Sequence, residues 1–324
     1  MDYKFPLSAL QLLRRIWLIS VPNPCLAENM DQNPHIPAIS SGSLSSRNAQ
    51  FAWGSLIIGA LVVLVYYRVL TGLVVIWARN SDYSHGFLVP IFAAYLVWTK
   101  RKTLQEKGVA PTWTGIAVVA LALIVLLLGS YGAAIFLSRV SLIILLAGLV
   151  LAFGGWEYLN ELRFALLVLL LAIPLPTIIF NQIALPLQIL ASKLASNLLA
   201  LFSIPVLRQG NIIQLPSIEL EVAEACSGIR SLVSLFTLSV FYGYFLEKTF
   251  VRRAFLALAS IPIAIAANAV RIFGTGLCVQ YWDPDKALGF FHEFSGWVMF
   301  LVALGCLVVL HRVMHFFLAL RRHA

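Results

Sequence analysis

Long apolar runs separated by short basic loops constrain this chain more than any other feature. A helix needs roughly 20 apolar residues to cross about 30 Å of hydrocarbon. On that basis the spans are Phe51–Trp77, His85–Thr99, Thr114–Gly129, Tyr131–Phe153, Phe164–Phe180, Ser227–Phe245, Ala254–Phe273 and Phe294–Leu318, eight in all and two of them short. The residues are 60% hydrophobic and only 11% charged, against about 25% charged in soluble domains. A soluble fold is excluded. The net charge of +9 would suit nucleic acid if it formed a patch on a polar chain. Instead the basic residues punctuate the apolar runs, so nucleic acid is not an expected partner and membrane lipid is.

Orientation follows from those basic residues, because short positive loops stay in the cytoplasm. Lys100, Arg101, Lys102 and Lys107 fill one loop, Lys248, Arg252 and Arg253 another, and Arg312, Arg321 and Arg322 lie near the end. With eight spans these clusters and Arg47 share one side, which makes both termini cytoplasmic. Residues 1–50 are rich in Pro, Asn and Ser, and their apolar piece is broken by Arg14 and Arg15. They read as a mobile cytoplasmic tail rather than a cleavable leader, or else as a start site placed too early; residues 51–324 form the membrane domain.

The opposite side receives Arg79–Ser84, the long stretch Asn181–Cys226 and the loop Gly274–His292. Within the long stretch Leu187, Leu190, Leu194, Leu198 and Leu201 oppose Gln188, Ser192, Lys193, Ser196 and Asn197, the pattern of an amphipathic helix in the interface. Ile218, Leu220 and Val222 then alternate with Glu219 and Glu221 after a Leu215–Ser217 turn. That is a small β-hairpin over the outer face. The fold class is therefore an all-α polytopic membrane protein with an outer amphipathic helix and hairpin.

Chemistry concentrates on the same side. In EVAEACSGIR, Cys226 stands where strand gives way to span, with Ser227 as N-cap, and a helix N-terminus stabilises a thiolate. A small buried hydrophobe is the alternative reading; it fits Cys278 and Cys306 better. The next two spans return Arg271 to the depth of Cys226, with Asn268 one turn earlier to position it. An arginine there faces a cavity or partner, or else snorkels to headgroups. His292 opens the last span. Thiol, guanidinium and imidazole together can perform acyl transfer, with the imidazole as base then acid and the arginine stabilising an oxyanion. Arg230 and Asn268 are candidates to support them, and Tyr83 and His85 of DYSHGF are candidates for a substrate entrance. Arg139 faces either the bundle interior or lipid phosphate. Asp283, Asp285, His292 and Glu293 lack metal-ligand spacing, so no metal and no cofactor is expected.

At YSHGFLVP, EACSGIRSL, NAVRI and HEFSG the chain resembles the exosortase and archaeosortase family of membrane thiol transpeptidases. The resemblance covers most of the chain after residue 50. It implies that Cys226, Arg271 and His292 are catalytic. It also implies substrates that are exported proteins with a C-terminal Pro-Glu-Pro-like motif, a transmembrane helix and a basic tail. Cleavage would proceed through a Cys226 thioester at the outer, periplasmic face of a bacterial inner membrane, in connection with exopolysaccharide production. Some members carry a further soluble C-terminal domain; here an accessory of that kind would be a separate protein. Two rivals come from other classes. A transporter would show paired internal repeats, and a lipid-linked glycan transferase would tolerate loss of Cys226.

Overall fold

A computed structural model describes residues 53–323 except 55, 133, 217–218, 223–227 and 282–289; the side chains of 221, 290–293 and 321–323 are likewise outside the description. The expected N-terminal tail, Cys226, Ser227 and the His292 imidazole lie outside it.

The helices are α1 (Leu56–Val65), α2 (Tyr67–Arg79), α3 (Leu88–Thr99), α4 (Arg101–Glu106), α5 (Trp113–Tyr131), α6 (Ile135–Gly154), α7 (Trp156–Val168), α8 (Thr177–Leu201), α9 (Ile229–Leu246), α10 (Phe250–Tyr281) and α11 (Phe290–His323). Six of them are long and apolar enough to cross a membrane, and the pair α1–α2 makes up to seven. The eight expected spans differ from this in three physical ways.

The run Phe51–Trp77 is bent by 71° between α1 and α2. The bend centres on the fully buried Tyr66, whose hydroxyl lies 3.2 Å from Ser141 Oγ on α6. A polar tip inside an apolar bundle needs such a partner. The span expected from His85 is the 12-residue α3, because Ser81–Phe87 winds into a 3-10 turn. The span expected at Phe164–Phe180 breaks likewise: α7 passes into a 3-10 turn at Leu169–Ala172, and Pro174 and Pro176 precede α8. Proline disfavours helix in the residue before it.

Helix α8 is also where the expected amphipathic helix falls. Its buried face is Ala184, Gln188, Ala191, Ser192, Ala195, Ser196 and Leu199, while Leu185, Leu190, Leu194 and Leu201 are exposed. Small and weakly polar residues pack inward and leucines face out, the reverse of a water-soluble helix and the normal arrangement against lipid. Its 25 residues would reach across a bilayer by length and composition. Both ends are nevertheless tied to one end of the bundle. The segment before it meets the first 3-10 turn, and Leu199 is where a Cβ on Gly276 of α10 would land, 3.1 Å away.

The hairpin is a three-stranded antiparallel meander, β1 (Leu207–Gln209), β2 (Ile212–Gln214) and β3 (Glu219–Glu221), with Leu207 opposite Gln214 and Gln214 opposite Glu219. Strand β1 is one more than the alternation shows, joined by a turn at Gly210 with φ +63°. Ile213, Leu215, Leu220 and Val222 form a core with Ala191, Ala195 and Leu199 of α8 and Ile272 and Val279 of α10. At the far end of the bundle, Lys100 and Lys107 close on Glu161 of α7 at 2.6 and 3.1 Å. Hydrogen bonds from these two ammoniums hold the Glu161 carboxyl below the ordinary carboxylate range.

Candidate functional site

Helices α9 and α10 position the site because they are consecutive and antiparallel, so the start of α9 meets the C-terminal half of α10. Gly228 is the N-cap of α9, one residue later than the Ser227 expected from sequence, and its φ is +75°. Only glycine adopts that conformation without strain. There is no room for a side chain either, since a Cβ would sit 2.7 Å from Asn268 Cγ. Asn268 is itself buried. The residue expected to support Arg271 therefore also seats the turn that follows Cys226.

One turn further along α10, Arg271 Nε donates to Ser295 Oγ of α11 at 3.4 Å. A Cβ on Gly296 would lie 3.4 Å from the guanidinium carbon, so glycine there lets α11 pass close over the planar group. Ser295 and Gly296 belong to HEFSG, three and four residues after His292. Sequence reasoning missed both as contacts of Arg271. The signal was present, since residues three and four apart on a helix share a face. Thr275 Oγ1 donates to the Arg271 carbonyl at 3.1 Å and steadies that turn.

The 3-10 turn Ser81–Phe87 lies beside these elements. Arg230 Nε donates to Asp82 Oδ1 at 2.7 Å, which ties the turn to the first residues of α9. Tyr83 has a backbone hydrogen bond with Leu175 and lies within electrostatic reach of Arg139; its burial, with the Asp82 carboxylate, pushes its hydroxyl above the usual tyrosine value. Arg139 is buried, which decides for the bundle interior over lipid phosphate. His85 is buried as well, with Nε2 3.2 Å from the Leu171 carbonyl. Gly86 leaves room for Trp77, where a Cβ would meet the indole at 2.3 Å, and Trp77 Nε1 donates to the Ala172 carbonyl at 2.9 Å. Of the two entrance candidates, Tyr83 is partly exposed and His85 is enclosed in the packing between the two 3-10 turns.

The described residues thus bring together three of the four motifs around Arg271 and Asn268, and the fourth, around Tyr83, joins them through Arg230. The thiol of Cys226 and the imidazole of His292 are outside what is described. No curated protein and no solved structure matches the chain. A family model described as transmembrane exosortase (Exosortase_EpsH) matches residues 77–309. That range contains every motif gathered here and most of the sequence, and the chain belongs to the transmembrane exosortase family.

Proposed function

We propose that this exosortase is a cysteine-type transpeptidase that cleaves the C-terminal sorting signals of exported proteins through a thioester on Cys226. The observation that carries the reading is the seating of Gly228 on Asn268, one helical turn from where Arg271 meets the HEFSG segment. The segment between Val222 and Gly228 starts in the core that contains Ile272 and ends against Asn268. The described residues that flank Cys226 are thus Val222, in the core shared by α8 and α10, and Gly228, against Asn268.

In the proposed reaction the Cys226 sulfur attacks the scissile carbonyl and His292 takes the thiol proton. Arg271 stabilises the oxyanion of the tetrahedral intermediate. Collapse breaks the C–N bond, the imidazolium returns the proton to the leaving amine, and the exported protein remains as a thioester. An acceptor nucleophile or water then attacks that thioester and restores the thiol. No redox partner is needed.

The substrates in this reading carry a motif, a transmembrane helix and a basic tail, and they reach the site by diffusing in the membrane plane. The basic loops put the Lys100 and Arg253 ends in the cytoplasm. The site then faces the periplasmic side of a bacterial inner membrane, with exopolysaccharide-linked sorting and a separate accessory protein as its setting. Coexpression with a reporter bearing a candidate sorting tail tests the reading by gel shift. Loss of the tail with the wild type and not with Cys226→Ala supports it. Intact tails in both, with the protein folded in the membrane, turn the assignment toward a transporter or a glycan transferase.

A further inference from the structure

The opposite end of the α9–α10 pair holds a second cluster of polar side chains. Helix α9 has 18 residues between its caps Gly228 and Glu247, so Glu247 lies about 28 Å from Gly228 along the helix axis. The Glu247 carboxylate is 3% exposed, and its Oε1 is 3.0 Å from His311 Nε2 and 2.5 Å from His315 Nε2. The two imidazoles stand four residues apart on α11 and converge on one oxygen.

From this arrangement we infer that Glu247, His311 and His315 form a binding site for a divalent transition metal, with zinc as the best match. Each residue offers one ligand atom, and the three lie within 4.8 Å of one another. A tetrahedral ion with bonds of about 2.0–2.1 Å holds its ligand atoms roughly 3.3 Å apart, so small side-chain movements suffice. Two imidazoles with one carboxylate suit zinc better than calcium or magnesium, which take oxygen ligands.

The surroundings have the form that metal-bound histidines require. Tyr242 OH lies 2.8 Å from His311 Nδ1. It can accept from Nδ1–H once Nε2 binds the metal, which fixes both tautomer and ring orientation. Arg252 approaches the other carboxylate oxygen, Oε2, at 3.5 Å, and Arg253 Nε donates to the Glu247 carbonyl at 2.7 Å. Oε1 is left to the ion while the backbone that carries it is held. Nearby guanidiniums weaken cation binding, and the buried carboxylate offsets them. His315 is about half exposed, which gives the ion an entry path and leaves its fourth position to water. Once filled, the site joins the end of α9 to the last three turns of α11.

The test is titration of the full-length protein, carrying no polyhistidine tag and bearing Cys226→Ala, with Zn²⁺ or Co²⁺ alone in detergent. About one equivalent should bind, Co²⁺ should give tetrahedral visible absorption, and Zn²⁺ should raise the melting temperature. Glu247→Gln and His315→Ala should each weaken binding by about tenfold or more. His315→Ala alters a half-exposed side chain, so it reads out even if the carboxylate variant fails to fold. Absence of stoichiometric binding in the parent, or equal affinity in a folded His315→Ala protein, overturns the inference. Neither result bears on sorting-signal cleavage, because the readout is the metal.

Discussion

The two ends of the α9–α10 pair treat polar groups in opposite ways. At the Glu247 end one buried carboxylate meets two imidazoles and the Arg252 guanidinium at 2.5–3.5 Å, while Arg253 donates to the Glu247 backbone carbonyl. At the Arg271 end the polar residues come from four separate segments, and one of the contacts between α10 and α11 is a hydrogen bond of 3.4 Å beside a glycine. A closed network gains its stability from internal pairing. In the proposed reaction the Arg271 end is where a peptide carbonyl arrives and where the guanidinium is assigned to stabilise its oxyanion. The first arrangement holds helices together, and the second is where the proposed chemistry is assigned.

Substitutions sharpen that contrast in order of size. Cys226→Ala, His292→Ala and Arg271→Ala should each lower reporter processing by about 10³-fold or more, since groups that act as a unit fail together. Expression and melting temperature should stay near wild type. Cys226→Ser should be almost as inactive, because a hydroxyl is far harder to deprotonate. Normal processing in any one of these variants removes that residue from the mechanism. Arg271→Lys keeps the charge and loses the planar fork, and should cost about 10²-fold; retention of full rate would show that charge alone suffices.

At the other end the signs reverse. Glu247→Ala removes the acceptor shared by both histidines and by Arg252. It should destabilise the protein by about 1–3 kcal/mol, the cost of leaving the partners of a buried acceptor unsatisfied. Denaturation in detergent measures this, and processing per folded molecule should hold. A large loss of specific activity at unchanged stability would break the contrast between the ends. Gly228→Ala touches both properties. It forces φ +75° on a residue with a Cβ and drives that Cβ against Asn268, which costs about 1–2 kcal/mol from backbone strain alone. Because the displaced turn follows Cys226, processing should fall further than stability does, by comparison with Glu247→Ala.

Much of this was legible in the sequence, and the failures have physical causes. Apolar length fixed the long helices α5, α6, α9, α10 and α11, and basic loops marked the Lys100 and Arg253 end. Length could not reveal the 71° bend at Tyr66, where the buried hydroxyl meets Ser141, 75 residues away. Nor could periodicity alone say which face of α8 packs inward. The leucine stripe looks the same in either case, and the contact of Leu199 with α10 decides it. Arg271 and Asn268 stand out in the sequence because an intramembrane arginine is expensive, and in the structure they meet Ser295 and Gly228. Glu247 does not stand out, because it ends a span beside Lys248 and looks like ordinary loop charge. Its partners His311 and His315 are the available signal, an i, i+4 pair beside Arg312.

The smallest effect concerns the pair that joins DYSHGF to α9. Asp82 and Arg230 meet at 2.7 Å, but the arginine side chain is 47% exposed and the aspartate 27%. A pair that open contributes under about 1 kcal/mol to stability. If the turn only decorates the surface, Asp82→Ala and Arg230→Ala will each leave both stability and processing unchanged. If the pair sets the distance between Tyr83 and the start of α9, each single variant should slow processing several-fold, with melting almost unmoved. The double variant should then be no slower than either single one, because the second substitution removes a partner already lost. Additive losses would instead mean that the two residues meet the substrate separately. Raised salt separates these cases again: an exposed pair weakens with ionic strength, so the wild type should slow toward the variants as salt increases, while the variants themselves stay level.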